Sequence, residues 1–342
     1  VRRPGQADSD MSLLSLAQAA LGGSIPVLCY HQVRPDSGMT PEKFGGHLDM
    51  LARMGLESIN LVHLLDIIQG KRRMTGPSVV LTFDDCTLDN WVYAVPELLR
   101  RGMCAAFFAV TDFLTPGKAR PRADQGGQGT TVPSLGEIMR RAIQGHFEGF
   151  MNHDEVRAMV REAGMEVYSH SAAHQACFIN RVRQGVLGDN RHWSHEALCG
   201  PVPADTPVHP VGSAYAHAGF GLDWTGRPLT LTAPEERLAF CLDDFSSSKA
   251  HLESILDKPC PFLCLPWGEY DDITLEAARQ AGFEGVLNLQ AGYVGPGTDP
   301  LRIGRLAVKD RKSRSWLGIK TALLATKHTA SLVRGRRPEG RA

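Results

Sequence analysis

Apolar residues fall in short blocks along this chain, and several blocks end abruptly at a polar residue. Residues 25–30 (IPVLCY), 78–83 (SVVLTF), 104–110 (CAAFFAV), 165–168 (MEVY) and 261–265 (PFLCL) are continuous rather than alternating. Strands buried on both faces read this way. Between them the spacing turns helical. A helix over 41–54 has Thr40 as N-cap and Pro41 at its first position. Helices over 61–69, 88–101 and from Asn152 or His153 to 163 stop at Gly70, Gly102 and Gly164. A long helix opens at Ala233-Pro234 and runs to 256, and another spans 271–281, closed by Gly282. The last strands are predicted at 285–289 and 301–308. Strand and helix alternate, the signature of a parallel sheet.

Two stretches break the rhythm and read as insertions, at about 115–150 and 175–232. The first is rich in Gly, Arg and Gln, with a helical patch over 135–143. The second carries many Gly, Pro and His residues and little periodicity. A structureless stretch of that length is uncommon in a compact domain, so it is expected to be a lid or wall of a site. Residues 1–24 form a leader segment. Its apolar part, 11–23 (MSLLSLAQAALGG), is interrupted by Ser15 and Gln18 and preceded by Asp8 and Asp10. It is expected to be an amphipathic helix rather than a signal peptide. The body of the chain is then 25–308, followed by a basic tail.

That tail, 309–342, holds ten Lys or Arg against Asp310 and Glu339. An amphipathic helix over 316–333 is predicted, which suggests weak contact with an anionic membrane surface. The whole chain has zero formal net charge and gives no argument for nucleic acid as a partner. Eight cysteines lie scattered without a CxxC pair, and Cys29, Cys104 and Cys264 fall in apolar runs. Buried free thiols in a reducing compartment fit that usage. No run reaches the ~18 apolar residues of a membrane span. A cytoplasmic location, at the inner membrane surface if the tail binds there, is the expectation, with export left open.

The 78–83 strand ends in two adjacent carboxylates, Asp84 and Asp85. Catalytic groups gather at the carboxyl ends of strands in α/β folds, and neighbouring residues there point different ways. One aspartate can ligate a metal while the other works as a base. A turn or helix cap is the plainer reading. His170 and His174 are spaced i, i+4, so one helical turn puts both imidazoles on one face, which suits a shared metal. His192 and His195 follow no strand and have no carboxylate near them, and read as a loop feature. The strand ends at Asp84-Asp85, at His170-Ser171-Ala172-Ala173-His174 and at Pro266-Trp267-Gly268-Glu269-Tyr270 share one face of a parallel barrel. An Asp with two His makes a three-ligand site with positions open for water and substrate.

Here the chain resembles a known family. Thr82-Phe83-Asp84-Asp85 resembles the first motif of the polysaccharide deacetylases (carbohydrate esterase family four), and His170-Ser171-Ala172-Ala173-His174 is similar to the second. Pro266-Trp267-Gly268 is similar to the end of the third. Val27-Leu28-Cys29-Tyr30-His31 and Asp299-Pro300-Leu301-Arg302-Ile303-Gly304-Arg305 resemble a subgroup acting on surface polysaccharides. The resemblance spans 25 to about 308, outside the insertions and tail. It implies a distorted (β/α) barrel of about seven parallel strands with one divalent metal, usually zinc. It carries over Asp85, His170 and His174 as metal ligands and Asp84 as the general base, with a backbone N–H near Cys86 helping to hold the oxyanion. The implied reaction is hydrolysis of an N-acyl group, acetyl above all, on an amino sugar of an N-acetylated glycan or glycolipid. His31, Pro266, Trp267 and Tyr270 are the candidate substrate contacts.

Three departures stand out. Cys86 replaces the glycine usual after the paired aspartates. Cys264 stands where many members have the arginine that tethers the base. The late Leu-x-His motif, source of the general acid, is missing, which turns attention to His192, His195, His209 or His217 in the second insertion. The missing arginine and the missing late histidine motivate a catalytically impaired glycan-binding relative as one alternative. A hydrolase of small non-sugar amides is the other. A narrow closed cleft favours the small amide, and an open groove with exposed Trp193 or Trp224 favours a polymer.

Overall fold

The strand that ends at the paired aspartates lies inside a cylinder. The structure, a computed structural model, describes residues 23–126, 130–189, 193–200, 202–223 and 225–333. The predicted leader helix, His192 and Trp224 lie outside the described residues.

In chain order the elements are β1 (Val27–Tyr30), α1 (Pro41–Arg53), β2 (Glu57–Ser58), α2 (Leu61–Ile68), β3 (Ser78–Phe83), α3 (Val95–Arg100) and β4 (Ala106–Ala109). The first insertion contributes α4 (Leu135–Ile143), followed by α5 (His153–Arg161) and β5 (Glu166–Ser169). The second contributes β6 (Ala176–Phe178), β7 (Gly185–Val186), α6 (Trp193–Cys199), β8 (Pro207–Val208) and β9 (Val211–Ser213). The core resumes with α7 (Pro234–Leu256), β10 (Phe262–Cys264), α8 (Asp272–Gln280), β11 (Gly285–Asn288), β12 (Ile303–Gly304) and β13 (Leu306–Ala307). Two tail helices close the list, α9 (Arg314–Leu324) and α10 (Lys327–Ala330).

The main sheet runs β12-β11-β10-β5-β4-β3-β1-β13, every neighbour parallel, with β2 beside β3. Its two outermost strands are consecutive in the chain, separated by Arg305 alone. Ile303 pairs with Leu287 on one edge and Leu306 with Leu28 on the other, so residues 303–307 stitch the sheet into a barrel. Counting that segment as one stave, the described residues form seven, as expected. The predicted 301–308 strand is thereby two short strands serving opposite edges. The staves β1, β3, β4, β10 and β11 are fully buried, which their unbroken apolar runs required.

Helix starts follow the predicted chemistry. Thr40, Asn60, Ser134 and Asn152 each accept a backbone N–H of the first turn. Three expectations need correction. The 88–101 helix carries a π-helical turn over Asn90–Ala94 before α3. Pro96 has no N–H and its ring crowds the carbonyl four residues back, so the ladder shifts register there. The second insertion is not structureless: β6 pairs β9, β7 pairs β8, and α6 lies between them. Strands of two or three residues are too short to show a period. The tail helix is broken, because Thr326 caps a new start by accepting the Thr329 N–H. Leu317 and Leu324 of α9 are buried in the fold, and Ile319 is left outward. Among the described residues no helix is long and apolar enough to cross a membrane.

Candidate functional site

Sequence and local strain build the site together. Six non-glycine residues among those described have positive φ, and five of them stand here: Asp85, Cys86, Ser171, His174 and Trp267. Such backbone costs roughly 1–3 kcal/mol per residue and persists only where the surroundings hold it. Cys86 at φ 49° adopts the left-handed form that a glycine would take freely. At His170–His174 the strain corrects the helical-turn expectation. The chain is not helical there, and left-handed Ser171 and His174 curl it so that the two rings converge, 5.1 Å between centroids.

Asp85 Oδ1 lies 3.5 Å from His170 Nε2 and 3.8 Å from His174 Nε2. Donor atoms of the three residues are mutually within 4.8 Å. Donors on ~2.0–2.1 Å bonds in a tetrahedral zinc shell stand about 3.3–3.5 Å apart, so this set fits one small divalent ion with little movement. The protonation states fit too. His170 Nδ1 is 2.8 Å from the Cys264 carbonyl, which can only accept. That leaves the Nε2 lone pair facing Asp85. Burial, reinforced by His170, pushes His174 down to about 4, so its imidazole is neutral and free to ligate at neutral pH. A web behind the loop holds it. Asp244 of α7 accepts the N–H groups of Ala172 (2.8 Å) and Ala173 (3.2 Å), and Tyr215 Oη stands between Asp244 (2.9 Å) and Ser171 Oγ (3.1 Å).

Asp84 turns the other way, into the barrel. Arg305, with a fully buried side chain, donates Nη1–H to Asp84 Oδ1 (2.6 Å) and Nη2–H to Oδ2 (2.8 Å). Burial opposes the Asp84 charge, but Arg305 more than offsets it and holds the carboxyl well below the usual range. The remaining guanidinium donors reach Thr82 Oγ1, the Asn288 carbonyl and Cys264 Sγ. Cys264 and Cys29 lie 3.5 and 3.4 Å from the two Asp84 oxygens. The partner missing at position 264 is thus supplied from the closing stave. The signal was available: Arg305 is a charge inside a predicted buried strand, which demands a buried counter-ion.

The other candidates separate. His31 follows β1, is exposed, and has a ring nitrogen within 4.8 Å of the Asp84 carboxylate. Trp267 lies tilted against His174, ring centroids 4.4 Å apart, while Pro266 is buried in the turn beneath. Tyr270 faces Gln290 and Arg302. The described insertion histidines do other work. His195 and His209 are buried, His195 Nε2 3.2 Å from the His209 carbonyl, and both pack on Phe178. His217 pairs with Glu269 at 3.1 Å, and Glu269 also accepts the Ser213 N–H, tying the insertion to the Pro266–Gly268 turn. Trp193 is half-buried, packed on the cluster of Ile138, Met139 and Phe150.

Against known proteins, a family model described as polysaccharide deacetylase matches residues 71–286. Among curated proteins none matches. A de-N-acetylase from Aggregatibacter actinomycetemcomitans has a similar structure, with TM-score 0.62, 19% identity, and coverage of 87% of this chain and 99% of that one. IcaB from Ammonifex degensii aligns with TM-score 0.56, 20% identity and coverage of 87% and 98%. The BpsB deacetylase domain from Bordetella bronchiseptica aligns with TM-score 0.58, 19% identity and coverage of 84% and 96%. At these identities the likeness establishes the fold.

Proposed function

Because the chain belongs to the polysaccharide deacetylase family, we propose that it is a metal-dependent hydrolase removing an N-acyl group from an amino sugar of a polysaccharide or glycoconjugate. One observation carries the reading: Asp85, His170 and His174 converge beside Asp84, a buried carboxylate kept ionised by Arg305. Asp85, His170 and His174 would hold a divalent ion, zinc by preference, which would supply Lewis-acid polarisation of the carbonyl and acidify water. Asp84 takes the proton from the attacking water as its oxygen bonds to the carbonyl carbon. Held ionised with its proton affinity lowered by Arg305, Asp84 is a weak base and depends on a water already acidified. His31 stands on the solvent side of Asp84 and gives a proton to the amine as the C–N bond breaks. The backbone N–H near Cys86 is the proposed second donor to the oxyanion. Trp267, held over His174, offers a ring to the sugar. The binding-only alternative drew on the missing base partner and the missing late histidine; Arg305 supplies the first, and His31 is the proposed substitute for the second.

Metal content of purified wild type and His174→Ala tests the centre, with near-stoichiometric zinc expected in the first and its loss in the second. A screen of N-acylated glycans for amine release tests the reaction. His31→Gln should keep its metal and lose at least a hundredfold in kcat. Metal-loaded protein inert on every N-acylated glycan would overturn the substrate class.

A further inference from the structure

A cavity of about 250 Å³ opens directly off Asp85 and His174. Its walls are Phe113, Met139, Phe150, Trp193 and Leu198, with smaller apolar residues between them. Among the described residues, and beyond the two metal-ligand candidates, Gln175 is the one polar side chain lining it. Met139 belongs to α4 and Trp193 and Leu198 to α6, so the barrel provides the polar end and the two insertions the apolar walls. At ~30 Å³ for each water-sized group the space takes about eight. An acetyl methyl fills one. An amino sugar would bring hydroxyl groups that lose water here without finding partners. An alkyl chain brings none.

The direction of the reaction chooses which end of the substrate enters. The departing amine must face its proton donor, and neither His31 nor Asp84 lines the cavity. The sugar then lies on the His31 side and the acyl group on the other. We propose that this cavity is an acyl-chain pocket, and that the N-acyl group this protein removes is longer than acetyl, about six to eight carbons. The proposal rests on the hydrolase reading above. Water adds to the amide carbonyl, the C–N bond breaks, the amine takes the proton, and the carboxylate product leaves its chain in the pocket.

The test uses the zinc-loaded full chain with glucosamine N-acylated by acetyl, butanoyl, hexanoyl or octanoyl, following free amine. From acetyl to hexanoyl, kcat/KM should rise at least tenfold, a modest part of what burying four methylenes can yield. Ala142→Trp, which projects an indole from α4 into the cavity, should cut the hexanoyl-to-acetyl ratio at least tenfold. Independently of turnover, calorimetry on the wild type should show octanoate binding at least tenfold tighter than acetate, an advantage lost in Ala142→Trp. Acetyl hydrolysed as fast as every longer chain, with no octanoate preference, overturns the pocket and leaves the hydrolase reading standing. No turnover with octanoate preferred upholds the pocket and sinks the hydrolase reading. A gain from an octyl glycoside of the N-acetyl sugar, with none from longer acyl chains, assigns the cavity to an apolar aglycone and overturns the proposal.

Discussion

Arg305 meets Asp84 with two charge-assisted bonds and places its other donors on Thr82, Asn288 and Cys264, so none of its polarity is wasted in the core. Breaking a buried pair from one side leaves an uncompensated charge, worth about 3–5 kcal/mol. Arg305→Met should therefore lower denaturant stability by about that amount and activity by at least a hundredfold. Arg305→Lys should recover only part, because a single ammonium cannot grip both oxygens. Unchanged denaturation of Arg305→Met would show that the pair contributes nothing. A second buried carboxylate behaves oppositely. Burial pushes Asp89 up to about 6, against the hydrogen bond it accepts from the Val33 N–H. A folded-state pKa raised above the unfolded value gives stability that is full below pH ~4 and is lost as pH rises through 6. This group alone should cost about 3 kcal/mol between pH 4 and pH 8. Asp244, also near 6 through burial, adds in the same direction. Urea unfolding across that range should show a flatter profile for Asp89→Asn. An identical profile would place the titration elsewhere.

At the scale of the element, the His170–His174 turn is held from behind by a helix as well as by its own bond from the His174 N–H to Ser171 Oγ. Asp244 of α7 takes two of its backbone N–H groups and meets Tyr215, whose hydroxyl also reaches Ser171. Asp244→Ala leaves those donors buried without acceptors, a loss of about 2–3 kcal/mol. Because the turn also aims two candidate metal ligands, zinc affinity should fall about 10–100-fold, the usual effect of losing an outer partner. Competition with a chelator measures it. A variant that melts lower yet holds zinc as tightly would make Asp244 purely structural. The first insertion is fastened in a comparable way, with Arg120 on Glu155 (2.7 Å) and on the carbonyls of Glu148 and Phe150.

For the molecule as a whole, closure depends on five residues, 303–307, that pair with β11 on one side and β1 on the other. Gly304 lies against the Gln290 carbonyl so closely that a Cβ would overlap it, and backbone cannot move aside as a side-chain tip can. Gly304→Ala should shift this stave and with it Arg305. Faster amide exchange over 303–307 and loss of activity despite retained helix content are expected. Native exchange there would mean that the barrel absorbs the methyl. The same closure explains how one arginine can substitute for another on a different strand: inside a barrel every stave faces the same axis, so Asp84 can be met from β10 or from the stave after β11.

The sequence by itself determined the alternating strands and helices, most helix starts and the order of the motifs, and it offered Asp85, His170 and His174 as candidates for a metal. These are local matters: an apolar run, a capping side chain or an i, i+4 pair is visible within a few neighbours. The tertiary structure alone decided that Arg305 pairs with Asp84 across 221 positions of chain and that Asp244 supports the histidine turn. It also decided that His195 and His209 pack within the second insertion while His31 lies near Asp84, and that two insertions lacking clear periodicity line one apolar cavity. Burial and counter-ion choice depend on which strands become neighbours. The chain's own periodicity does not record that.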